Sequence, residues 1–112
     1  MRKDVKLLAD AMEKGWKMCP KMVDGWGYFR GKRRSSPEAC CAKGHAFLGQ
    51  YGDAMFSLSV DVRFAAFLAF KQLVLDEAGE ETDLFTFLNE LSHEYGWTTP
   101  QIVKWLRSHQ ND

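Results

Sequence analysis

Two adjacent cysteines, Cys40 and Cys41, stand just before Ala42-Lys43-Gly44-His45 in a chain that holds three cysteines and three histidines in all. These residue types support two chemistries. Thiolates and imidazoles together bind zinc, at about 2.0 to 2.3 Å and usually four to an ion. A thiolate near a helix start, with histidine as its base, is a nucleophile. On a helix Cys41 and His45 share a face at i and i+4, while Cys40 points about 100° away. Cys19 and His93 can complete a set Cys19, Cys41, His45 and His93. No C-x-x-C or H-x-x-x-H pair supports it, and no orienting acid falls at a spacing that supports catalysis. A third reading is steric. Ala39, Cys40, Ala42, Gly44 and Ala46 make the helix start unusually slim, which lets another helix or the aromatic insertion approach closely, with free cysteine packing as a small hydrophobe. The residues favour this packing reading, with no cofactor.

The elements that must position these residues follow from periodicity and punctuation. The chain has 112 residues, 46% of them hydrophobic, and 15 basic against 15 acidic side chains. That fits one domain, residues 1–112, with no global field to draw it to nucleic acid or an acidic membrane. Residues 1–12 do not read as a signal peptide, and the longest apolar run, "FAAFLAF" at 64–70, is too short to span a bilayer. Unpaired cysteines in odd number point to a reducing cytoplasm.

Val5, Leu8, Ala9 and Met12 predict a first helix over 3–14, stopped by Gly15. Residues 16–35 form an irregular aromatic and basic insertion. Asp24-Gly25 there signals a short β-hairpin between "KMV" and "WGYF", or an ordered loop. Ser36-Pro37-Glu38 reads as the start of a second helix running to about Gln50. A long helix apolar on most sides is expected over 60–78. A fourth ends near Tyr95, with Leu84, Phe85, Leu88, Leu91 and Tyr95 inward. Thr98 to Gln101 reads as a capping box opening a fifth. The expected fold is mainly α: a single-domain bundle of about five helices with the aromatic hairpin or loop between the first two.

Two surfaces suggest partners. Trp26, Tyr28 and Phe29 beside Arg30, Arg33 and Arg34 have the composition of a protein-binding hot spot. Alternatively the last two helices, with Leu91, Ser92, Tyr95, Gly96, Ile102 and Trp105 spaced as in a helix-turn-helix, place Thr98, Thr99, Val103 and Lys104 toward a DNA groove and Arg107 near phosphate. No phosphate loop, nucleophile elbow or carboxylate pair appears. The favoured expectation is a small cytoplasmic accessory protein that binds another protein without catalysis.

"SPEACCAKGHAF" followed downstream by "LNELSHEYGWTTPQIVKWLRS" resembles a family of small bacterial and phage helical domains of unknown function, over about half the chain. The matching positions are Cys41, Gly44, Asn89, Glu90, Thr99, Val103 and Leu106. Glu90 stands where the family has Asp, and His45 where it has Ala. The resemblance implies a helical fold and a bacterial or phage origin, and no site.

Overall fold

A computed structural model describes residues 2–22, 29–30, 39–52 and 84–111. Among them the chain is mainly helical, with four helices and one two-stranded pairing. These are α1 (Lys3–Met18), β1 (Phe29–Arg30), β2 (Ala39–Cys40), α2 (Ala42–Tyr51), α3 (Leu84–His93) and α4 (Thr99–His109). The expected helix at 60–78 and the Asp24-Gly25 turn lie outside the described residues.

α1 buries Val5, Leu8, Ala9 and Met12 as their spacing requires, and carries Asp4 in its first turn and Lys17 in its last. It does not stop at Gly15. The helix runs to Met18, and the Cys19 N–H closes it on the Gly15 carbonyl at 2.9 Å, just ahead of Pro20. Gly15 serves packing instead. A Cβ there would lie 1.8 Å from the His45 carbonyl oxygen, and one at Gly49 would lie 1.6 Å from that of Ala11. α1 and α2 therefore touch backbone to backbone, and theirs is the most extensive interface among the described elements. Ala42 and Ala46 of the slim stretch are buried in the core, while the backbone contact itself falls at Gly15 and Gly49.

The second helix starts later than Ser36. Ala39 and Cys40 are extended: Cys40 pairs antiparallel with Phe29 and Ala39 with Arg30. Cys40 also forms a parallel bridge to Met22, its N–H donating to the Lys21 carbonyl at 3.1 Å. Phe29 thus pairs with Cys40, and no aromatic hairpin is shown among the described residues. Backbone groups committed to strand pairing cannot also serve a helix, so α2 begins at Ala42. Cys41 is its N-cap, with φ −83° and ψ 177°, and its Sγ accepts from the Gly44 N–H at 3.4 Å.

α3 turns Leu84, Leu88 and Leu91 inward, but Tyr95, expected there, is 70% exposed. The helix opens early, with the Tyr95 N–H reaching back to the Glu90 carbonyl and the Trp97 N–H to that of Leu91. Gly96, at φ +71°, makes the reversal. α4 then starts as its sequence predicts: the Thr98 N–H donates to Gln101 Oε1 at 2.8 Å, and Pro100 sits in the first turn.

One core joins the four helices, with Met12, Phe47, Leu88 and Ile102 at its centre and Trp97 and Trp105 packed at its edge. α4 runs antiparallel to α1. The Arg2 N–H meets the Gln110 carbonyl at one end, while nearer the other Arg107 pairs with Asp10 at 3.0 Å and with Glu13. No described helix is long and apolar enough to cross a membrane.

Intrinsic helix propensity favours alanine over glycine by about 1 kcal/mol. The missing room at Gly15 and Gly49 reverses that sign. Gly15→Ala and Gly49→Ala are each expected to destabilise by about 3 kcal/mol or more, read from urea midpoints. A midpoint equal to that of the parent chain would rule out the backbone contact.

Candidate functional site

The close approach of α1 and α2 delivers His45 into the interior. The ring is fully buried, in the first turn of α2. Its Nε2 is 2.8 Å from the Cys19 carbonyl oxygen and its Nδ1 is 2.6 Å from Thr99 Oγ1. A carbonyl only accepts, so Nε2 carries the proton and Nδ1 accepts from the Thr99 hydroxyl. Burial holds the His45 pKa below the usual 6.5, against a smaller upward pull from the backbone of Cys19 and Lys21. The neutral ring thus joins the end of α1, the start of α2 and the start of α4. Trp16 meets it edge-on, with centroids 5.2 Å apart at 66°. Trp16, placed by the sequence in the irregular insertion, belongs to α1.

Three chemistry-bearing groups converge here. The sulfurs of Cys19 and Cys40 and a ring nitrogen of His45 all lie within 4.8 Å of one another, and all three residues are buried. Cys19 follows α1, Cys40 is the last residue of β2 and His45 is on α2. Burial, reinforced by the neighbouring Cys19, pushes the Cys40 thiol far up, and burial likewise raises that of Cys41. At neutral pH both are thiols, the unreactive form.

Of the set Cys19, Cys41, His45 and His93, the structure gathers Cys19 and His45 and adds Cys40. Cys41 packs with Ala39 and spends its sulfur on the Gly44 amide. His93 closes α3, half-buried and outside the cluster. The i, i+4 spacing of Cys41 and His45 aligns side chains only within a helix, and Cys41, as the N-cap, is extended. A signal was available: Cys41 to Gly44 is the same three-residue offset used by serine and threonine caps.

The suggested DNA-reading face is divided. Thr98 caps α4, Thr99 is fully buried on His45, and Val103 is buried against the core. Arg107 is held by Asp10 and Glu13, which leaves Lys104 as the exposed member. Trp26, Tyr28, Arg33 and Arg34 lie outside the described residues, and Phe29 and Arg30 are described in their backbone alone.

A cleft of about 420 Å³ opens between α1 and α4, lined by Glu13, Trp16, Lys17, Pro100, Val103, Lys104 and Arg107. A neighbouring hollow of about 390 Å³ lies along α4, between Trp97, Trp105 and Ser108.

Because unfolding lets His45 take up a proton that the folded interior refuses, its contribution runs one way. Stability is expected to fall as pH drops below about 6.5, until the folded-state pKa is reached. His45→Gln should flatten that part of the thermal-stability profile, and an unchanged profile would contradict a buried neutral imidazole. The three thiols of the native chain should resist iodoacetamide at neutral pH and react on adding denaturant. Rapid native labelling of Cys40 would contradict its burial. No family model, curated protein or solved structure matches the chain, so the site stands on its own geometry.

Proposed function

We propose that the chain is a small cytoplasmic accessory protein that acts by binding another protein, without catalysis, and that the α1–α4 cleft is its docking groove. The cleft itself carries this reading. Trp16 and Val103 supply an apolar wall, while Lys17 and exposed Lys104 stand on the rim. Arg107 braces the two helices through Asp10 and Glu13. A half-buried tryptophan beside a fixed arginine is the composition of a binding hot spot. The rim charge fits a segment with an apolar anchor flanked by acidic residues.

Buried, protonated thiols and a histidine with both nitrogens occupied support a role without nucleophilic chemistry. Thr99 inside the core and Arg107 in ion pairs weigh against DNA reading by α4. Trp26, Tyr28, Phe29, Arg30, Arg33 and Arg34 belong to the same proposal as a second contact arm, on their composition. The resemblance to small bacterial and phage domains supports such an origin.

A photo-crosslinking residue at position 104, in native cells, is expected to trap one discrete acidic-flanked protein. The same probe at Lys3 should not, and Lys17→Glu should remove the adduct. Equal labelling from both positions, or none from 104, would exclude the cleft.

A further inference from the structure

Cys19, Cys40 and His45 come from three separate segments, yet their donor atoms meet within 4.8 Å. Ligands bound to one tetrahedral ion at about 2.0 to 2.3 Å lie at mutual separations below this, so the set closes by drawing the donors together while the ring nitrogen that binds releases its present oxygen partner. The donors are soft and borderline, the class that selects zinc rather than calcium or magnesium. Their surroundings are apolar: Leu48 packs with Cys19 and Cys40, and Trp16 lies against the imidazole.

The partners of His45 suit ligation. Metal-bound histidines donate their second N–H to a carbonyl or another acceptor, which fixes the ring. Whichever nitrogen takes the ion, the other keeps such a partner, the Cys19 carbonyl for Nε2 or the Thr99 hydroxyl for Nδ1. Cys41 has no place in this set, its sulfur being the cap of α2.

The geometry points to a buried site for a zinc-class dication held by Cys19 Sγ, Cys40 Sγ and one ring nitrogen of His45. Binding forms two metal–sulfur bonds and one metal–nitrogen bond, and the two thiols release two protons to solvent. Two thiolates balance the dication, so the buried unit is neutral and escapes the cost of an isolated buried charge. Three protein ligands leave the fourth position without a protein donor among the described residues. The ion would staple the end of α1 to β2 and α2, adding to stability beyond the docking role proposed above.

Cobalt(II), a coloured stand-in for zinc, tests this on the full chain kept reduced. One equivalent is expected to raise sulfur-to-cobalt charge-transfer absorption, displaced by zinc. Cys40→Ser should weaken or abolish it, and Cys41→Ser should leave it unchanged. Absorption that survives Cys40→Ser but not Cys41→Ser, or none in the parent chain, overturns the site. Should the serine variants not fold, X-ray absorption of the zinc-loaded parent chain decides. Two sulfur ligands at about 2.3 Å support the site, and fewer than two overturn it.

Discussion

The contact on which the rest depends is the meeting of α1 and α2 at Gly15 and Gly49, where neither backbone leaves space for a Cβ. Side-chain packing usually holds helix axes 8–10 Å apart. Glycine on each helix removes that spacer where the partner's carbonyl approaches. Val5, Leu8, Ala9 and Met12 then close over Ala46 and Phe47 to make half the core. The glycines cost helix propensity, and the burial they allow outweighs it.

That approach also decides where polar groups go. With the His45 carbonyl against Gly15, the His45 ring reaches the turn after α1 and finds the Cys19 carbonyl. A buried imidazole with an unmet nitrogen would be costly, and Thr99 meets the second one. One side chain thus ties three elements whose residues are far apart in the chain. The same convergence sets Cys19 and Cys40 beside the ring.

The outer side of α1 is organised by charge. Lys6 lies 2.8 Å from Asp10, and Arg107 reaches Asp10 and Glu13 from α4. The hydrogen bond from Lys6 is the largest influence holding the Asp10 carboxyl below its ordinary range, with Arg107 adding to it. Exposed pairs of this kind contribute about 1 kcal/mol or less each. Those from Arg107 span α4 and α1, beside the cleft that Trp16 and Val103 line.

Periodicity in the sequence determined the helical class, the inward face of α1, the leucines of α3 and the capping box of α4, because those features depend on neighbours three or four residues away. What it could not determine were choices made by distant partners. Gly15 reads locally as a stop and acts as a contact because α2 lies against it. Ala39 and Cys40 read as the first turn of a helix and are strand, because Phe29, Arg30 and Met22 take their backbone bonds. Tyr95 matches the apolar period and faces outward, because α3 ends before it. The cluster itself was partly legible: Cys19, Cys40 and His45 stood out by type, but a helical reading of Cys40 turned it away from the set, and it is strand. Thr99 joins His45 across 54 residues, a contact that only the tertiary fold creates.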